Sequence, residues 1–144
     1  MGYTVLLILH LLGATIWVGG HLVLLFTIVP GALAARDVER IRSFEHGYER
    51  IGIPALIVQV ITGLLLAHRF VPGVWEAFTF ADRLHTLVAV KLLLLLATAV
   101  VGAHARLWII PRLNAERLPG LAVHVALVTI LAVALLVCGA LVRG

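Results

Sequence analysis

Charged residues are scarce in this sequence. They make up 12% of its 144 residues, whereas 62% are hydrophobic and the mean hydropathy is +1.14. Soluble domains are closer to about half apolar and about a quarter charged. The composition therefore excludes a soluble globular domain, and it predicts a single transmembrane domain over residues 1–144.

Cysteine is almost absent as well. Cys138 is the only one and lies inside an apolar segment, which excludes an intramolecular disulfide and a Cys-x-x-Cys metal site. The net charge of +4 is small, and the arginines lie in short connections between apolar segments. Arginines in such places are typical of topology determinants, and we expect no nucleic-acid partner.

Four long apolar segments dominate what is present. They cover about 4–29, 51–70, 84–110 and 118–142. Each reaches the ~20 residues that a helix needs to cross a bilayer, so the sequence predicts an all-α, up-down-up-down bundle of four transmembrane helices. A surface helix is expected over about 37–48, where apolar residues recur at steps of three and four. No Lys or Arg precedes the first segment, which we expect to be retained rather than cleaved as a signal peptide.

Basic residues are distributed unevenly between the connections. The second connection holds only Arg69 and Arg83, whereas the first and third hold Arg36, Arg40, Arg42, Arg50, Arg106, Arg112 and Arg117. The positive-inside rule places the first and third connections in the cytoplasm and both termini outside. We therefore expect a multi-pass protein of the cell membrane, in bacteria the inner membrane, with the lipid bilayer as its first partner.

Seven histidines are the most informative feature of so apolar a chain. Counting a rise of ~1.5 Å per residue from each helix midpoint sorts six of them into two layers. The layer toward the termini has Lys91 at a similar depth and comprises His10, His68 and, further out, His85. The opposite layer draws on three helices and comprises His21, His104 and His124. The seventh, His46, belongs to the expected surface helix.

Histidine layers inside a membrane predict a metal site. Polar groups in hydrocarbon are costly unless they face protein or a cavity, and neutral imidazole is a common ligand of copper. The candidate ligands are His21, His104, His124, His10, His68 and His85. Cys138 is interpreted as a small buried apolar residue. On an ideal helix His85, Lys91 and His104 point in directions about 100° or more apart, so at least one is expected to line another interface, such as that of a homodimer.

Three stretches resemble a known membrane family. They are LHLLGATIWVGGHLVLL in the first helix, FEHGYERIGIPALIVQVITGLLLA around the second, and LHTLVAVKLLLLLATAVVGAHARL in the third. They are similar to the copper-resistance D (CopD) proteins and to the related HemJ-type protoporphyrinogen oxidases. The resemblance implies a small four-helix membrane protein that uses copper or haem.

The resemblance also implies roles for single residues. His10 matches the haem-associated histidine of the HemJ-type enzymes, and Lys91 and His104 match polar positions of their third helix. Those enzymes typically carry an arginine after the tryptophan-glycine motif, and Leu25-Phe26-Thr27 holds none. Three histidines are additions to the pattern: His21, His68 and His124. These departures favour a histidine-rich metal-binding member closer to the CopD proteins.

The sequence leaves three functions open. The first is copper held by the histidines, with a redox or copper-handling role in which a small oxidant such as oxygen or superoxide reacts. The second is a b-type haem, bound through His10 and Lys91, for electron transfer or porphyrinogen oxidation. The third is a proton or ion pathway, or an assembly partner, without a cofactor. Only the first two would include a membrane oxidoreductase.

Overall fold

The computed structural model describes residues 2–142 and is helical almost throughout. Its α-helices are α1 (Gly2–Val23), α2 (Val29–Ala35), α3 (Val38–Phe70), α4 (Arg83–His104) and α5 (Leu118–Leu141). π-Helical segments cover Leu24–Ile28 and Ala105–Ile109, and 3-10 turns cover Val74–Thr79 and Ile110–Arg112. Four of the helical stretches in this range are long and apolar enough to cross a membrane: Gly2–Ala35, Val38–Phe70, Arg83–Arg112 and Leu118–Leu141. The predicted all-α four-helix membrane bundle is confirmed.

Each π-helical segment precedes a proline. Pro30 follows Leu24–Ile28, and Pro111 follows Ala105–Ile109. A proline ring inside a helix collides with the carbonyl four residues earlier and leaves it without a donor, and the wider π turn relieves that collision. The first span therefore does not end near residue 29, as the sequence predicted, but continues to Ala35, where Arg36 turns the chain with a φ of 52°.

The separate surface helix predicted over about 37–48 is absent from the described residues, because α3 runs unbroken from Val38 to Phe70. Asp37 begins this helix by accepting a hydrogen bond from the backbone N–H of Arg40 at 3.2 Å. The apolar residues that suggested a surface helix face protein instead of lipid. Ile41 is 1% exposed, and the Tyr48 hydroxyl donates to a carbonyl of α1.

Two apolar clusters close the two ends of the bundle. The Arg36 end contains the Arg36 turn and the 113–117 connection, and the Trp75 end contains the 71–82 connection and both ends of the described chain. The cluster at the Arg36 end comprises Leu24, Val29, Ala32, Ile41, Leu113, Leu118, Leu121 and Val125. The cluster at the Trp75 end comprises Val71, Ala77, Val88 and Ala89.

The four spans pack as two pairs. α1 lies along α3, α4 lies along α5, and the pairs meet through α1 and α5. Gly13 lets α1 approach α3 closely, since a Cβ at this position would lie 2.9 Å from both the Ala55 carbonyl oxygen and Cβ of Gln59. The pairs are less closely joined between α3 and α4, and a cavity lies between them there.

Candidate functional site

The structure brings two of the predicted metal ligands into direct contact. His104 is the last residue of α4, and His124 lies in the second turn of α5. Nδ1 of His104 lies 3.1 Å from Nε2 of His124. The two rings meet edge to edge through these nitrogens, with centroids 5.1 Å apart and planes inclined by 18°. We call these two residues the histidine pair.

The neighbouring backbone fixes the tautomer of His124. Its Nδ1 lies 2.9 Å from the carbonyl oxygen of Gly120, one turn earlier. A carbonyl only accepts, so Nδ1 carries the proton and Nε2 keeps its lone pair. Metal-binding histidines are commonly oriented in this way, with one nitrogen donating to a carbonyl and the other free to bind. The nitrogen that faces His104 is therefore an acceptor, for a proton of His104 or for a metal ion.

Charged side chains lie at the same end of the bundle as the histidine pair. Arg106, two residues after His104, forms an ion pair with Glu49 of α3. Arg42 donates to the carbonyl oxygen of Leu113 at 3.1 Å. Ionised groups at this end indicate that the polar membrane interface is near. The side chain of His104 is exposed on the surface of the bundle.

His21 does not join the histidine pair, although it was predicted to share a layer with it. Its Nδ1 donates to the carbonyl oxygen of Trp17 at 2.9 Å. Its ring centroid lies 4.4 Å from that of Trp17 and 6.3 Å from that of Tyr48. Within residues 2–142, no three His, Cys, Asp or Glu side chains are close enough to hold one metal ion. The predicted three-histidine convergence is therefore not observed.

Tyr48 makes contacts that the sequence did not reveal. Its hydroxyl donates to the carbonyl oxygen of Ile16 at 2.9 Å. Its ring fills the space beside Gly20 of α1 and Gly52 of α3, where any Cβ would collide with it. Gly52 lies one turn after Tyr48 on α3, whereas Gly20 is 28 residues earlier in the sequence. Only the helix arrangement could show that they belong together.

His10 lies between α1 and α3, away from the histidine pair. Its Nδ1 donates to the carbonyl oxygen of Gln59 at 3.0 Å and lies 3.2 Å from the Thr62 hydroxyl. Gly63 makes room for the ring, because a Cβ there would lie 2.9 Å from Cε1 of His10. Since Nδ1 carries the proton, Nε2 keeps its lone pair. No hydrogen bond to this Nε2 is made by any part of the chain that the structure describes.

A cavity of about 570 Å³ opens beside His10, between the two helix pairs. Its volume is within the ~300–1,000 Å³ typical of small-molecule sites. Gln59 of α3 and Lys91 of α4 line it, together with Trp17 and Phe70. The side-chain oxygen of Gln59 is buried without a hydrogen-bond partner. The Lys91 ammonium forms no ion pair or hydrogen bond with residues 2–142. His10 and Lys91, predicted at similar depth, thus line one space.

The remaining histidines belong neither to the histidine pair nor to the cavity. His68 is exposed and does not line the cavity. His85 lies in the first turn of α4, where its side chain and its backbone N–H donate to Oδ1 of Asp82 at 2.8 and 2.9 Å. These bonds, the backbone one above all, hold the pKa of the Asp82 carboxyl below its usual range. His46 is exposed on α3, and Cys138 is half-buried on α5.

The fold, the histidine pair and the cavity beside His10 define the class of protein: a multi-pass four-helix membrane protein with histidines between its helices. The family model described as copper resistance protein D matches residues 42–142. The chain belongs to this family, as the sequence predicted, and is a membrane protein related to copper resistance. The match includes both members of the histidine pair, and it begins after the helix that carries His10. No curated protein and no solved structure gives a significant match.

Proposed function

We propose that the protein binds copper at the histidine pair and handles it at the membrane, in a redox or transfer role. The contact between two imidazoles of adjacent helices is the observation that carries this proposal. Family membership supports copper as the metal. Imidazole is a suitable ligand for copper in proteins, and bound copper would supply one-electron chemistry.

The two residues fit a copper ion after a small adjustment. His124 offers Nε2, and His104 offers the Nδ1 that faces it. Bonds from imidazole to zinc, taken as a guide, are about 2.0–2.1 Å long, so two nitrogens on opposite sides of an ion lie about 4 Å apart. The observed separation is 3.1 Å, and the rings would move apart by about 1 Å. The side chain of His104 is exposed, which leaves it room to move.

Copper binding by single-histidine variants tests the proposal. Detergent-purified protein is loaded with copper, freed of excess metal and assayed for copper per chain. We expect His104→Ala and His124→Ala each to weaken binding by about tenfold or more. His46→Ala removes an exposed histidine outside the pair and should retain full binding. Equal loss from all three variants, or no binding by the unmodified protein, would contradict the proposal.

His21→Ala separates the pair from the three-histidine layer that the sequence predicted. His21 is held by Trp17 and Tyr48, so the variant should keep its copper. A loss as large as that of His124→Ala would restore the three-histidine site and show that the chain rearranges when it binds metal.

A homodimer belongs to this proposal. Two imidazoles leave room for further ligands on copper, and His104 is exposed. A second copy that packs on the same surface would bring two more imidazoles. We expect copper to raise the dimer fraction of the unmodified protein, measured by light scattering, and to leave that of His104→Ala unchanged. A copper-loaded protein that stays monomeric would exclude the dimer while leaving the pair intact.

Haem b in the cavity is the second candidate, and the free Nε2 of His10 is the observation that favours it. The fit is partial. If Lys91 were the second axial ligand, no Arg or other Lys among residues 2–142 would line the cavity to meet the propionates. The direct contact between His104 and His124 leaves no gap for a macrocycle between the two rings. A Soret band in the purified protein that is lost in His10→Ala would support haem, and its absence would exclude it.

We also propose that both termini lie outside the cell membrane. The arginines of the Arg36 end support this orientation under the positive-inside rule. In a Cys138→Ser background, Ala81→Cys places a thiol in the exposed 71–82 connection and Ala34→Cys places one at the opposite end. An impermeant thiol reagent added to intact cells should label only the first, and the reverse pattern would invert the topology.

A further inference from the structure

The cavity beside His10 is separate from the proposed copper site, and it opens toward lipid. The cluster at the Arg36 end lies beyond the cavity, whereas Val88 of the cluster at the Trp75 end lines it. The cavity wall includes Leu11, Leu64 and Leu136, which are 51%, 42% and 50% exposed on the outer surface of the bundle. A lipid-soluble ligand can therefore enter sideways from the bilayer.

Three polar groups of the cavity define what such a ligand must offer. Nε2 of His10 is an acceptor, because Nδ1 carries the proton. Gln59 also lines the cavity. Its amide oxygen is buried without a partner, and half a turn of the amide would bring that oxygen to the position of the NH₂ group. The Lys91 ammonium only donates. The ligand thus needs donors for two acceptors and an acceptor for one cation.

We propose that the cavity binds a lipid-soluble hydroquinone, an aromatic ring with two hydroxyl groups and an apolar tail. Each hydroxyl both donates and accepts. Two hydroxyls can therefore donate to His10 and Gln59 while one of them accepts from Lys91. The ring suits a wall that includes Trp17 and Phe70, and aromatic side chains favour flat aromatic ligands.

Other lipid-soluble molecules match these groups less completely. A fatty-acid carboxylate accepts from Lys91 but offers no donor to His10 or Gln59. The oxidised quinone has two carbonyl acceptors and no donor. A haem can meet His10 through its iron but leaves the Gln59 oxygen without a donor. The unpartnered acceptors therefore select a hydroxylated ligand.

Titration of single-tryptophan protein tests the binding site. Trp75→Phe and Trp108→Phe together leave Trp17, in the cavity wall, as the only tryptophan. In lipid nanodiscs without oxygen, the Trp17 fluorescence is followed as decylubiquinol, its dimethyl ether, decylubiquinone or palmitate is added. We expect decylubiquinol to bind about tenfold more tightly than the ether or the quinone, because a site built to accept hydrogen bonds rejects an analogue without donors.

Variants of the cavity assign the binding to these polar groups. Gln59→Leu and Lys91→Met keep the side-chain size and remove the polar group, and each should weaken decylubiquinol binding about tenfold. Leu95→Met changes the same wall without a polar group and should bind normally. If a cavity variant fails to fold, the comparison of decylubiquinol with its ether in the otherwise unmodified cavity still shows whether the hydroxyl groups contribute to binding.

Copper binding at the histidine pair and hydroquinone binding in the cavity can be contradicted independently of each other. His124→Ala should lose copper and keep decylubiquinol binding, whereas Lys91→Met should do the opposite. Equal binding of decylubiquinol and its ether would reduce the cavity to an apolar space and overturn the inference. Tighter binding of palmitate would make Lys91 the anchor of a lipid carboxylate, and haem in the purified protein would assign the cavity to haem; either result would overturn it as well.

Discussion

The two halves of this bundle are built differently from the same four spanning helices. At the Arg36 end, residues of all four spans or their connections meet in one apolar cluster, where Ile41 is 1% exposed and Ala32 is 0% exposed. Toward the Trp75 end, the helix pairs separate around a cavity of about 570 Å³. The difference indicates a division of labour. Close packing at one end holds the fold, while the looser half keeps unpartnered polar groups that a uniform core would exclude.

The largest effect on stability is expected from Ile41→Ala, at the packed end. Ile41 is among the largest fully buried side chains, and its truncation leaves a void between α3 and the cluster. We expect the free energy of unfolding in mixed micelles to fall by about 2 kcal/mol or more. Ile57→Ala, at a 54% exposed position of the same helix, is the control and should cost much less. Similar losses from both variants would mean that the cluster is not a packed core.

Larger side chains should destabilise the packed half of the bundle more than the half that contains the cavity. Ala32→Leu forces three extra carbons into the packed cluster, and overpacking of this kind costs about 1–3 kcal/mol. Ala14→Leu, on the same span, points its added carbons toward a wall that has empty space beside it. Its cost should be below about 1 kcal/mol, and it should reduce decylubiquinol binding. An equal cost in thermal unfolding would contradict the comparison between the halves.

Because α1 lies close to α3, we expect alanine substitutions at two glycines of α1 to differ in their effect on stability. The Cβ of Gly13→Ala would meet backbone and side-chain atoms of α3 at 2.9 Å, whereas nothing lies within 4 Å of a Cβ at Gly19. Because the backbone of α3 cannot yield freely, Gly13→Ala should lower the free energy of unfolding by about 1 kcal/mol or more. Gly19→Ala should leave it unchanged or raise it slightly. A stable Gly13→Ala protein would show that the two helices can slide apart at no cost.

The smallest effect concerns the Trp75 end and depends on pH. Hydrogen bonds from His85 lower the pKa of Asp82 from its ordinary 3.8. A lowered folded pKa gives stability that is present above the ordinary value and is lost as the pH falls through the folded one. Between pH 5 and pH 2, thermal stability should therefore fall more steeply in the unmodified protein than in Asp82→Asn, which cannot ionise. Parallel pH profiles would show that the carboxylate charge contributes nothing.

The sequence could predict which residues lie at a similar height along the bundle, but not how each helix is rotated about its axis. Counting residues placed His104 with His124 and His10 with Lys91, and the structure joins the first two in contact and the second two around one cavity. His21 has the depth of the first two and faces Trp17 instead. The sequence does not indicate how each helix is rotated, because the lipid-facing and protein-facing positions of these helices are equally apolar.

The positions of the helix ends could not be predicted from the sequence either. The sequence predicts that the first span ends at Pro30 and that the second begins near Arg50. A proline inside a helix removes one backbone hydrogen bond but does not always end the helix. Pro54 lies within the unbroken α3, and after the π-helical segment Leu24–Ile28 the first span continues through Pro30 to Ala35. Composition and segment length sufficed for the number of spans. The local geometry that lets a proline pass depends on packing that a single sequence does not contain.

Gly63 links sequence variation on α3 to the residue at position 10. The imidazole occupies the place that any side chain at position 63 would need, and its hydrogen bond to Gln59 prevents it from moving aside. Among members of the family that keep this imidazole, we expect glycine to be retained at the facing position. Where the histidine is replaced by a smaller residue, alanine or serine becomes acceptable. The two positions should therefore change together during evolution, one substitution permitting the other.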